Sequence, residues 1–175
     1  MSGASGLQEL VACGHGVNDE LDVSEFDLAE GHCWATDDPT WSRRSKQVQS
    51  LLELRKGQER HAATAIRYST VDVEVIVDDV LDPLMRQWST WAAQHRLPLV
   101  TTEAWGPVNY TDTDLGIGID EWAWVRTLTE HAVARAIAFG WQGICTTNFC
   151  QPHHRGMWAE VGWHRELTDE IRRND

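Results

Sequence analysis

The sequence predicts an α/β fold built on a parallel sheet, and three observations carry that reading. Short apolar runs alternate with longer stretches of helical spacing, the pattern of strand–helix–strand units with right-handed crossovers. Two runs echo each other, Val100-Thr101-Thr102-Glu103 and Cys145-Thr146-Thr147-Asn148. In both, polar residues gather where the strand ends, which is barrel-like, because barrels keep their ligands at the C-terminal ends of strands. A chain of 175 residues makes one domain, taken as residues 1–175, with a core of its own.

Taken in order, Gly6 to Ala12 reads as a short helix, or the tail of one, with Leu7, Leu10 and Val11 on one face and Gly14 and Gly16 ending it. Val23–Ala35 reads as a buried strand stopped by Asp37-Asp38-Pro39. Ser42 is placed to cap a helix through Val48, Leu51, Leu52 and Leu54, interrupted at Gly57. Val71–Val77 alternates like a strand yet runs into Leu81, Leu84, Trp88 and Trp91 at helical spacing. Such short runs are ambiguous, so helix is expected from about Asp82 and Val71–Val77 stays open. Leu97–Glu103 is an apolar run between turn signals, expected as a buried parallel strand. Asp120 can cap a helix over Glu121–Phe139, with Trp122, Val125, Leu128 or Thr129, Ala132, Ala136 and Phe139 inward and Gly140 closing it. Trp141–Phe149 supplies another short strand. A last helix over Gly156–Arg173 would turn Met157, Val161, Leu167 or Thr168, and Ile171 inward.

Composition narrows the function. A net charge of −12 disfavours nucleic acid and anionic membrane, since phosphates would be repelled, and leaves a neutral substrate unaffected. The four cysteines are too sparse for a disulfide scaffold, and no basic flank or long apolar core opens the chain. A reduced, cytoplasmic protein is the expectation, with no membrane span, as the apolar runs fall short of the roughly 20 residues required. Ten tryptophans are a heavy load beside two tyrosines and three phenylalanines. Most are expected in the core; the remainder suit sugar recognition, where flat indoles stack on pyranose rings.

Glu103 is the first candidate for chemistry. A carboxylate at a strand tip among Thr101, Thr102 and Trp105 can serve as nucleophile or general acid/base, or be a solvated surface glutamate. Glu30 and His32 stand two apart, hence on one strand face, suited to bind hydroxyls, to tune a neighbouring carboxylate or simply to close the sheet. Cys145, Cys150, His153 and His154 are ligands of the right type for zinc, but Cys-x4-Cys-x2-His-His lacks the close thiol pairs of structural sites, and no metal is expected. No Gly-x-Gly-x-x-Gly follows a strand, so a nucleotide fold lacks its mark.

The block Leu97-Pro98-Leu99-Val100-Thr101-Thr102-Glu103-Ala104-Trp105-Gly106-Pro107-Val108-Asn109-Tyr110 resembles the sugar-binding cellulase-like proteins, relatives of clan A glycoside hydrolases. So do Gly143–Pro152 and Gly156–Arg165 and, more loosely, Phe26–Trp34. The resemblance covers about Val23–Arg173, least closely between Gly57 and Leu84.

It implies a (β/α)8 TIM barrel, of which this chain would hold strands six to eight, a partial barrel. It places Glu103 as the nucleophile of retaining O-glycosyl hydrolysis. Glu30, His32, Trp34, Trp105, Asn109 and Asn148 would line the sugar subsite, and no cofactor is required. Two departures stand out: Trp34 occupies the place of a tyrosine, and no Asn-Glu pair, the clan's acid/base signature, occurs in the sequence. A full barrel takes about 250 residues. Three strands would leave open sheet edges, so a homo-oligomer or a completing partner chain is expected. The alternative is a non-catalytic carbohydrate-binding or truncated protein.

Overall fold

Four short parallel strands form the sheet of the computed structural model, which describes residues 9–13, 17–35, 72–106, 121–146 and 159–174. They are β1 (Glu9–Cys13), β2 (Leu28–His32), β3 (Leu99–Thr101) and β4 (Gly143–Ile144), hydrogen-bonded in the order β1-β2-β3-β4. Strand order follows chain order throughout. A doubly wound sheet reverses direction at a switch point; these strands do not, as in a segment of a barrel wall. The architecture is mixed α/β, compatible with a partial glycoside-hydrolase-like barrel.

The first strand corrects the sequence reading, which expected a helix over Gly6–Ala12 and three strands in all. Leu7, Leu10 and Val11 satisfy helical spacing, yet Glu9–Cys13 pairs residue for residue with Leu28–His32. A run of this length is decided by the partner available to it rather than by its own periodicity. The other strands are the cores of the predicted runs, trimmed at both ends.

The ambiguous Val71–Val77 stretch proves helical from Val73 onward. Asp72 caps it, accepting the Glu74 N–H at 2.9 Å. Helix α1 (Val73–Ile76) continues through a π turn, Val77–Leu81, into α2 (Asp82–His95). Pro83 accounts for that wide turn. A proline inside a helix has no N–H and its ring clashes with the carbonyl four residues back, and a π turn just ahead of it accommodates both. Ile76, Val77, Val80, Leu81, Met85, Trp88, Trp91 and Ala92 form the buried stripe.

The two long helices that lead into β3 and β4 end alike. After α2, Arg96 takes a left-handed φ of 59° while its N–H reaches Ala93 and that of Leu97 reaches Ala92. After α3 (Glu121–Ala138), Gly140 takes φ 76°, its N–H reaches Ile137, and Trp141 reaches back to Ala136. These are Schellman closures, and the predicted role of Gly140 holds. On α3, Val125, Leu128, Thr129, Ala132 and Ala136 are buried as predicted, joined by Val133; Trp122 and the capping Asp120 lie outside the residues whose side chains are described. Helix α4 (Val161–Arg172) buries Leu167 and Ile171, but Val161, expected inward, is 49% exposed because it lies off that stripe. Met157 and the Ser42–Gly57 helix lie outside the described residues.

The helices cover one face of β2. Gly31 lets the Trp88 indole approach to 3.1 Å of where a Cβ would stand, with Trp141 behind it. Four tryptophans, Trp88, Trp91, Trp105 and Trp141, are core residues. No helix among the described residues is long and apolar enough to cross a membrane.

Candidate functional site

Strand alternation sends Ala29 and Gly31 of β2 toward the helices and Glu30 and His32 to the opposite face. Glu30 is 3% exposed, so its carboxylate needs partners in place of water. Its Oε1 accepts the backbone N–H of Thr102 at 2.9 Å and the Thr102 hydroxyl in a short contact, and pairs with His32 Nε2 at 3.0 Å. Thr102 lies just past β3, whose Val100 faces Glu30 across the ladder. The Thr101 hydroxyl meanwhile donates to the Glu103 carbonyl at 3.0 Å. Thr101-Thr102-Glu103 is thus held from two sides, and the Glu103 side chain is exposed at its tip.

Beneath this bend sits Trp105, fully buried, with an unusual φ of 82°. A non-glycine residue in that region costs of order 1 kcal/mol or more and needs surroundings that enforce it. Three hydrogen bonds do so. Its N–H donates to Cys33 at 2.9 Å, its carbonyl accepts from Ala35 at 2.8 Å, and its indole Nε1 donates to the Cys145 carbonyl at 3.2 Å. Trp141 packs on it with centroids 6.2 Å apart. Trp105 therefore ties β2, β3 and β4 together, with its indole, which the family resemblance would set in the sugar subsite, buried among them. Trp34, half-buried, bridges to Trp105 through the backbone.

The end of β4 closes the arrangement. Cys145 donates its N–H to Thr101 at 3.0 Å, and burial pushes its thiol up to about 12, offset only in part by the Thr101 hydroxyl. Thr146 Oγ1 meets His164 Nδ1 at 3.2 Å. His164, on the first turns of α4, was not singled out by sequence reasoning; the signal available was its place in the block that resembles the sugar-binding proteins.

The fold thus brings Glu30, His32, Thr102 and Glu103 to one strand end, with Trp34 and Trp105 behind them. Asn109 and Asn148 lie outside the described residues, as do Cys150, His153 and His154. Among the described residues no three His, Cys, Asp or Glu side chains gather as a metal site. A cleft of about 390 Å³, lined by Ile137, Trp141, Gln142, Ile144, Ile171 and Asn174, lies at the other end of the sheet, where β4 begins and α4 ends.

This geometry has relatives. The model of the sugar-binding cellulase-like family matches residues 8–172. A solved structure from Parabacteroides distasonis ATCC 8503, described as a "putative glycoside hydrolase", is similar with a TM-score of 0.61 and 31% identity, over 87% of this chain. The chain spans 39% of that neighbour's length. No curated protein matches the sequence. The chain belongs to the sugar-binding cellulase-like family.

Proposed function

We propose that this member of the sugar-binding cellulase-like family takes a carbohydrate at the C-terminal ends of β2, β3 and β4, with Glu103 in the nucleophile's position of retaining glycoside hydrolysis. The observation that carries the reading is the exposed Glu103 carboxylate on a bend hydrogen-bonded from both sides. Family membership and the similar glycoside-hydrolase structure support it. Glu103 would attack the anomeric carbon while an acid protonates the departing oxygen. Water would then cleave the glycosyl ester, giving up its proton to the same acid/base group. On this reading β2, β3 and β4 are strands six, seven and eight of a (β/α)8 wall and β1 is strand five. A homo-oligomer or a completing chain would cover the outer edges of β1 and β4.

A second reading, carbohydrate binding without turnover, is favoured by a specific observation. Retaining hydrolysis needs a second carboxyl group about 5–5.5 Å from the first. Glu30, on the adjacent strand, has its Oε1 engaged by Thr102 and His32. Aryl glycosides tested on the full chain and on Glu103→Gln separate the two. Turnover abolished by Glu103→Gln supports hydrolysis. Equal background rates, with saccharide-dependent Trp fluorescence, support binding alone.

A further inference from the structure

We infer that Glu30 is a positioning residue, which fixes through Thr102 the direction in which Glu103 is presented to a ligand; the inference rests on the carbohydrate reading above. Glu30 stands on the face of β2 turned away from the Trp88 packing, 3% exposed. Taking a carboxylate out of water there costs several kcal/mol before its partners are counted. A leucine would carry no such cost, and a strand needs no charge to pair. What Glu30 accomplishes is found in its partners: it accepts from the N–H and the hydroxyl of Thr102, and His32 Nε2 stands 3.0 Å from the same oxygen.

Thr102 and Glu103 are both exposed, so water could satisfy that bend. It is instead bonded from one side by a buried charge and from the other by the Thr101 hydroxyl on the Glu103 carbonyl. Charge-assisted bonds are short and directional. Glu103 itself projects beyond the clamp. A carboxylate that must meet one carbon at about 3–3.5 Å gains from such a fixed origin, whereas a merely structural bend does not.

The test uses the full chain and two readouts. Amide relaxation in the ligand-free protein is compared for wild type, Glu30→Gln, Thr102→Val and Thr102→Ser. The order parameter of Glu103 should fall from about 0.85 toward about 0.6 in the first two variants and hold in Thr102→Ser. Thr102→Val changes an exposed side chain, so it reports even where Glu30→Gln fails to fold. An unchanged Glu103 order parameter in Thr102→Val overturns the inference. The second readout is Trp-fluorescence titration with cello-, xylo- and manno-oligosaccharides. Affinity should drop about tenfold in Thr102→Val and be restored in Thr102→Ser; equal losses in both overturn it. If wild type binds none of these saccharides, the carbohydrate reading loses its support, while the order parameters still decide the clamp.

Discussion

The two faces of β2 differ in what they demand. Toward the helices, Ala29 and Gly31 leave room for Trp88 and Trp141, and the requirement is volume. On the reverse, Glu30 requires donors, which Thr102 on the bend after β3 supplies, with His32 Nε2 beside the same carboxylate oxygen. The first face keeps the sheet covered; the second spends a buried charge on a neighbouring loop. Stability should therefore be most sensitive on the helix face, and ligand recognition on the other.

Trp88→Ala should show the largest loss of stability, about 3–5 kcal/mol, since it empties a fully buried site. Urea denaturation would record a lower midpoint at unchanged slope. Thr102→Val removes a hydrogen bond to a charged group, worth about 1.5–3 kcal/mol at most. Loss of saccharide affinity out of proportion to its effect on Tm would sharpen the contrast between faces; a Tm loss as large as that of Trp88→Ala would break it. Gly31→Ala should cost about 1 kcal/mol, overpacking against Trp88 outweighing the entropy gained by losing a glycine. A stabilised protein would show that the indole yields freely.

Cys145 predicts an alkaline effect. Its thiol is raised from 9.0 to about 12 in the fold, so above pH 9 the unfolded chain releases the proton first. Stability should then fall with rising pH, by up to about 1.4 kcal/mol per unit. The difference between wild type and Cys145→Ala from pH 8 to 10.5 isolates this contribution. The smallest effect belongs to Arg135, which is half-exposed between Asp78 and Asp82. Arg135→Met should cost under about 1 kcal/mol, and less in high salt.

Residues that act through periodicity were legible in the sequence. The α3 stripe and its Gly140 closure follow from spacing and from the one residue that accepts a left-handed φ without penalty. Glu103, at a run's polar end, and the Glu30–His32 pair follow from period two. What was not legible depends on distant partners. Glu9–Cys13 became a strand because β2 was there to pair with it. Val73 onward became helix because Ile76, Val77, Val80 and Leu81 found a core. Trp105, just past a strand in a loop, is buried between three strands, a placement no local pattern encodes.

The sequential order of the sheet also bears on how the site comes into being. β1 and β2 pair across a separation of nineteen residues, Glu9 with Leu28. The Glu30–Thr102 clamp spans seventy-two. Loop closure grows logarithmically with length, so the longer contact costs about 1 kcal/mol more entropy to bring together. Contacts of long separation also tend to slow folding. The first two strands can zip early, whereas the bend that presents Glu103 is fixed only once the chain has closed its longer circuit. Assembly of the strand end that carries Glu103 is thereby expected late, and a folding probe placed at Thr102 should report completion of the sheet.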